Sequence, residues 1–372
     1  MSIWILLCAF CVSFVVTIAV VRSRGALSAH ASDVDLDGPQ KFHHKAVPRV
    51  GGMGILLGTM AGAAWMCLEV RQFTVLTIGL LGAAIPAFAS GLLEDLTKSQ
   101  SARRRLFFTA MSASLAFWWV DAAIVRTGIP GLDWLVSYPW GAAAITVFVV
   151  TGVANSVNII DGFNGLSSMC SAIMLAGLAY VAFQVGDHAI GWLALAGVGA
   201  IFGFFVFNFP AGLIFLGDGG AYFLGFYLAE LAILLMQRNS VVSPLFPLLL
   251  CVYPVFETLF SIYRRKWLRG RPVGMPDGAH LHSLIYRRFM RWAAGPIVGE
   301  SQALRNSLTS PYLWAMCSAS VLPALLWYQN TSVLAFFILA FAATYVSLYW
   351  RIVRFRSPRF LPSGKQRRSR EG

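Results

Sequence analysis

Apolar and polar positions in this chain are sorted into long blocks. Runs of about twenty mostly apolar residues, each enough to cross hydrocarbon, fall near 2–21, 50–68, 73–93, 106–120, 140–158, 166–184, 189–207, 219–236, 242–263, 311–328 and 331–350. The pattern predicts an all-α, polytopic integral membrane protein with about 11 transmembrane helices. The run at 106–120 is short and its ends are soft. The first run is apolar from Ser2 and has no basic stretch before it. It is too long for the apolar part of a signal peptide and lacks a small-residue cleavage site, so it is read as a retained span.

Composition agrees: 58% of the 372 residues are hydrophobic and 12% are charged, a balance foreign to soluble domains. Cys8, Cys11, Cys67, Cys170, Cys251 and Cys317 all lie inside apolar runs, where packing is the expected role. An odd number of spans puts the termini on opposite sides. With the carboxyl end inside, the inner segments are 22–49, 94–105, 159–165, 208–218, 264–310 and 351–372. They hold 26 of the 29 Lys and Arg, and the outer loops keep only Arg71, Arg126 and Arg238. That asymmetry places the N-terminus outside and the C-terminus in the cytoplasm. The net charge of +13 therefore reports topology and gives no ground for nucleic-acid binding. Some of it remains available to phosphate. Residues 1–350 read as one transmembrane domain, and 351–372 as a basic tail against anionic lipid.

The inner loops carry the chemistry. The first contains DVDLDGPQKFHHKAVPRVGG, where Asp33, Asp35 and Asp37 precede Lys41, His43, His44, Lys45 and Arg49. It is either an ordinary polar loop or a wall of cations for phosphates. The second, GLLEDLTKSQSARRRL, pairs Glu94 with Asp95 ahead of Arg103, Arg104 and Arg105. Neighbouring helical carboxylates point about 100° apart, so they divide labour if they act at all. The third, NSVNIIDGFNG, packs Asn155, Asn158, Asp161 and Asn164 into ten residues. Spacing by three aligns the first three along one side of a helix end. Gly162 and Gly165 let the backbone turn there. This stretch is helix-end filler or the floor of a polar site.

The fourth loop, FNFPAGLIFLGDGG, has Asp218 as its only charge, beside Gly219 and Gly220. Asp218 suits both a helix N-cap and a ligand for a hard cation that wants oxygen donors. In the fifth, PDGAHLHSLIYRRFMRW, Asp277, His280 and His282 follow a Pro-Gly bend. Apolar Leu281, Leu284, Ile285, Phe289 and Trp292 alternate with arginines as in an interfacial amphipathic helix. The His-x-His pair lacks further zinc ligands at suitable spacing, so contact with phosphate or sugar is expected instead. Two acids lie within spans: Glu257, a candidate partner for Arg264 and Arg265, and Glu230. Intramembrane acids are functional candidates by default.

A transporter is expected to keep its polar site near the bilayer midplane. Here acids, asparagines and glycines gather at helix ends, which favours interfacial chemistry between a soluble and a lipid substrate. The motifs DLDGPQKFHHKAVPRVGG, GLLEDL, NSVNIIDGFNGL, FLGDGG and PDGAHLHSL, in that order, resemble the polyprenyl-phosphate N-acetylhexosamine-1-phosphate transferases of bacteria. The resemblance extends from about Asp35 to His282. It implies an enzyme of the bacterial inner membrane with its site on the cytoplasmic face. The reaction implied is transfer of a sugar 1-phosphate from a UDP-N-acetylhexosamine to undecaprenyl phosphate, with release of UMP and a requirement for Mg²⁺ or Mn²⁺.

Carried over by position, the resemblance implies that Asp218 is the principal metal ligand, assisted by Asn158. Asp161 lies near the nucleotide, with Asn164 a candidate uracil contact. Glu94 and Asp95 match a catalytic acid pair, and His280 and His282 a catalytic histidine motif. Lys41, His43, Arg104 and Asn155 are the implied substrate contacts. Three positions depart from the family pattern. Glu94 replaces the first aspartate of the pair, Asn164 replaces an aspartate, and Ser283 stands where a third histidine is common. The rival reading is a lipid-linked-sugar transporter or a catalytically silent relative. Release of UMP separates the two.

Overall fold

The computed structural model describes residues 1–23, 47–268, 270, 279–290 and 301–354. Lys41, His43, Asp277 and the tail beyond Arg354 lie outside the described residues. Among the described residues the regular structure is all helix: α1 (Ser2–Arg22), α2 (Gly52–Glu69), α3 (Thr74–Thr97), α4 (Ala102–Trp119), α5 (Pro130–Val136), α6 (Pro139–Ile159) and α7 (Leu166–Gln184). After these come α8 (His188–Asn208), α9 (Gly217–Arg238), α10 (Phe246–Leu250), α11 (Val252–Tyr263), α12 (Leu281–Leu284), α13 (Ser301–Leu326) and α14 (Thr331–Val353). Eight of these segments are long and apolar enough to cross a membrane: α1, α2, α3 with the short 3₁₀ turn before it, α6, α7, α8, α9 and α14. The protein is a polytopic helical membrane protein.

Each of the eleven apolar runs lies on helix, but the run at 242–263 is broken into α10 and α11. Pro247 opens the first piece. Pro254, in the first turn of the second, has no N–H to give back to the preceding turn, so the hydrogen-bond ladder is interrupted where the two pieces meet. The segment from Leu281 also departs from expectation. Leu281, Leu284, Ile285 and Tyr286 are buried together with His282 and Ser283, so this stretch packs into the protein instead of lying along the interface.

Helix α9 is the axis of the fold. Every residue from Gly217 to Met236 is buried, and α3, α6, α2, α7, α8 and α4 surround it. Helices close in tightly where small residues meet, the usual device when hydrocarbon gives no hydrophobic drive. A Cβ on Gly91 of α3 would stand 2.5 Å from Gly219 N, and one on Gly225 would stand 2.5 Å from Ala154 Cα of α6. Gly52 of α2 abuts Gly220 in the same way. Three glycine contacts therefore draw the ends of α2, α3 and α6 around the first turns of α9. Glu230, midway along α9, is fully buried, and neither of its carboxyl oxygens has a hydrogen-bond partner among the described residues.

Candidate active site

Asp218 stands in the first turn of α9 and is 8% exposed. Backbone pairing ties the segment before α2 to the one before α9: Phe215 N donates to Pro48 O at 2.9 Å, and Gly51 N and Gly52 N donate to Phe215 O and Leu216 O at 3.0 and 2.9 Å. This brings Arg49 beside Gly217. Gly217 has φ +76°, and a Cβ there would run into Arg49 O and stand 2.5 Å from Asp95 Oδ2. Only glycine meets both demands.

Asp95, near the end of α3 and 2% exposed, spends both oxygens on α9. Its Oδ1 accepts from Asp218 N and its Oδ2 from Gly219 N, each at 2.9 Å. A carboxylate from another helix thus caps the exposed amides of α9, where negative charge is favoured. The neighbouring Glu94 points elsewhere and accepts from Gln100 N at 2.6 Å. The two adjacent acids therefore point in different directions, Asp95 inward to α9 and Glu94 toward its own loop.

Three partners surround the Asp218 carboxylate. Asn158 Nδ2 donates to Oδ1 at 3.0 Å. Arg105 pairs with Oδ2, and Arg49 lies 3.8 Å from Oδ1 and also 3.8 Å from Asp95. Arg105 further covers the Tyr222 ring at 5.9 Å. The Tyr222 hydroxyl donates to Asn155 Oδ1 at 3.2 Å. Of the three consecutive arginines, Arg105 reaches Asp218. Arg104 stays exposed at the start of α4, where its N–H meets the capping Ser101 hydroxyl at 3.4 Å. Asp161, in the turn after α6, is half-buried. Burial pushes its carboxyl up to about 7, with Arg49 pulling the other way.

The histidine motif closes the site from the other side. His280 Nδ1 lies 3.1 Å from Glu257 Oε1, which also accepts from Leu281 N at 2.9 Å. The His280 and His282 rings stack at 5.1 Å and 8°. His282 rests edge-on against Phe163 at 5.6 Å, and its Nε2 faces Gly162. Glu257 thus serves the histidine motif, whereas Arg264, one of the candidate partners in the sequence, is engaged elsewhere. Arg264 donates to Ala279 O and, at 2.7 Å, to Tyr349 Oη.

Asn164 sits apart from this cluster. It is 2% exposed, and its N–H donates to Asn306 Oδ1 at 2.9 Å. Its amide meets Pro210 O and Ser307 Oγ at 3.4 Å each. The Ser310 hydroxyl donates to its carbonyl at 2.7 Å. Its Oδ1 has no hydrogen-bond partner among the described residues. The second half of NSVNIIDGFNG is therefore bolted to α13, while the first half faces Asp218.

Geometry thus gathers Asp95, Asn155, Asn158, Asp161 and Asp218 around one end of α9, and sets His282, with His280 stacked on it, against Gly162 and Phe163 of the same polar loop. Arg49 and Tyr222 join them although sequence reasoning gave neither a place in the site. Arg49 had been only one cation among several in its loop. Tyr222 follows Asp218 by four residues, so the i, i+4 rule for a helix face was the signal for it.

A helical bundle with this polar end is a membrane-embedded site built from loop motifs, and its family can be named. The chain belongs to glycosyl transferase family 4, whose pattern matches residues 77–236. One relative, from Bacillus subtilis (strain 168), is named "Probable undecaprenyl-phosphate N-acetylglucosaminyl 1-phosphate transferase". It is 30% identical over 277 residues, 74% of this chain and 75% of the relative. An undecaprenyl-phosphate alpha-N-acetylglucosaminyl 1-phosphate transferase of Thermotoga maritima is 28% identical over 262 residues, covering 69% and 75%. A phospho-N-acetylmuramoyl-pentapeptide-transferase of Geobacillus thermodenitrificans is 31% identical over 211 residues, covering 53% and 64%.

Proposed function

We propose that this protein transfers an N-acetylhexosamine 1-phosphate from a UDP-sugar to undecaprenyl phosphate, releasing UMP, at the cytoplasmic face of a bacterial inner membrane. The product would initiate O-antigen or another cell-surface glycan. The observation that carries the reading is the meeting of Asp218, Asn158, Arg49 and Arg105 at the α9 terminus. Family membership and the names of the relatives support it.

The donor set fits a hard divalent cation. Asp218 offers a carboxylate, Asn158 an amide oxygen, and the carboxylate already sits against a guanidinium. Among the described residues no group of three or more His, Cys, Asp or Glu gathers to enclose an ion. That suits Mg²⁺, which keeps water and takes substrate phosphate oxygens alongside one or two carboxylates. When bound by Asp218 and Asn158, Mg²⁺ or Mn²⁺ would neutralise diphosphate charge. Arg49 and Arg105 bring fixed positive charge to the same place, and Asp95 holds the helix end that presents Asp218.

A phosphate monoester has its second pKa near 6, so the lipid phosphate is largely a dianion at neutral pH and needs no strong base. We infer direct in-line attack. A lipid phosphate oxygen forms the new bond to the β-phosphorus, and the bond from that phosphorus to the bridging oxygen breaks, with UMP leaving with the electron pair. The rival is a phospho-enzyme on a carboxylate with two displacements. Exchange of labelled UMP into UDP-sugar without lipid would identify the rival.

The test is UMP release by the purified protein given undecaprenyl phosphate, Mg²⁺ and UDP-GlcNAc, UDP-GalNAc or 6-deoxy-N-acetyl UDP-sugars. UMP release with one donor is the expected result, and silence with all of them refutes the transferase reading. Asp218→Asn should cut turnover by at least about 100-fold, the scale seen when a group stabilising developing charge is removed. Raised Mg²⁺ should not restore it. Near-normal turnover would remove Asp218 from the metal site.

A further inference from the structure

Glu257 is 1% exposed inside α11, yet its carboxylate is fully engaged. Oε1 takes the Leu281 N–H at 2.9 Å and lies 3.1 Å from His280 Nδ1. Oε2 takes the Tyr345 hydroxyl of α14 at 2.8 Å. With two donors already directed at it, the carboxyl group acts as an acceptor, so Nδ1 of His280 carries the proton. In a neutral imidazole that leaves the lone pair on Nε2. Leu281 N belongs to the peptide that follows His280, so the same oxygen reads the backbone and the ring together. Rotation of the ring about its own bonds would break the contact at once.

The grip extends beyond one ring. His282 is stacked on His280, and its other side meets Phe163 and Gly162 of the polar loop that supplies Asn158 to Asp218. Arg264, seven residues after Glu257, ties Ala279 to Tyr349 of α14. The motif is therefore clamped between α11 and α14 on one side and applied to the candidate active site on the other.

We propose that Glu257 is a positioning residue for the transfer reaction, fixing the tautomer and plane of His280 toward the site; this rests on the transferase reading above. It acts through His280 and touches no substrate. Loss of the partner that orients a ligating histidine typically costs about 10- to 100-fold, and a similar loss in kcat is expected for Glu257→Ala, with little change in KM for the UDP-sugar.

The experiment is a double-mutant cycle on the full chain in detergent, with Glu257→Ala, His280→Ala and the pair assayed by UMP release. If Glu257 works through His280, its replacement should cost less than about 3-fold once His280 is already alanine. Independent, multiplying losses would overturn the proposal. Glu257→Gln, which keeps the volume and an acceptor oxygen, guards against misfolding, and its kcat should fall between wild type and Glu257→Ala. Tautomers are read separately by ¹⁵N-histidine NMR, with His280→Ala assigning the signal. The His280 proton should sit on Nδ1 in wild type and move toward Nε2 in Glu257→Ala, the form free imidazole side chains prefer. An Nε2 proton in wild type overturns the proposal. Because the NMR arm needs no turnover, it stands even if no donor sugar yields UMP, which would refute only the transferase reading.

Discussion

Asp95→Ala tests whether the inner acid of the Glu94–Asp95 pair is a cap or a chemical group. In the structure both oxygens of Asp95 are used by amides of α9 at 2.9 Å. Leaving a buried donor without its partner costs about 1–3 kcal/mol, and two amides would lose theirs at a buried helix end. The loss is therefore about 2–6 kcal/mol. At about 2–4 °C per kcal/mol for a chain of several hundred residues, the melting temperature in detergent should fall by on the order of 10 °C. Turnover should fall too, because Asp218 is presented by the turn that loosens. Asp218→Asn supplies the contrast: its side chain caps no helix amide, so turnover collapses while the melting temperature falls only by what its pairing with Arg105 contributes. The assay is thermal melting by intrinsic tryptophan fluorescence, run beside UMP release on the same preparations. Unchanged melting in Asp95→Ala, together with lost turnover, would refute the capping argument and return Asp95 to the chemistry.

Two further outcomes are expected. Asp161 has its carboxyl raised to about 7, against roughly 3.9 in an unfolded chain. Between those values the folded protein binds the extra proton, so stability falls as pH rises through the window. With EDTA present, Asp161→Asn should therefore melt higher than wild type at pH 8, and the difference should shrink as pH approaches 4; a pH-independent difference would contradict the assignment. Glu94→Asp restores the family's commoner acid, and because Glu94 accepts from Gln100 N of its own loop, turnover should stay within about 3-fold of wild type. Complete loss in a UMP-release assay would show that the longer side chain is required.

How far the site could be read from sequence follows from the range of each interaction. The helix-end motifs were legible because their residues are close in the chain and polar in an apolar setting. Asn158, Asp161 and Asp218 stand out against their surroundings, and they do converge. Pairings between distant segments were not legible. Nothing local says that Asp95 caps a helix 123 positions away, since an N-cap is normally sought within the same segment. The same limit hid Arg105's preference for Asp218 over its two neighbours, and sent Glu257 to nearby arginines when its partners lie 23 and 88 positions away. Asn164 is a further case: nothing local says that its backbone and amide are held by Asn306, Ser307 and Ser310, more than 140 positions away on α13. Acids and amides in such a chain are thus reliable pointers to where a site lies. Which of them faces the ligand is decided by the donors that other helices bring, and here those donors consume Asp95 and Glu257 while leaving Asp218 balanced between an amide and two guanidinium groups. A carboxylate held by side chains and not by backbone amides is the one a divalent ion can take over at least structural cost, which is why the metal assignment falls on Asp218 and not on its better-buried neighbour.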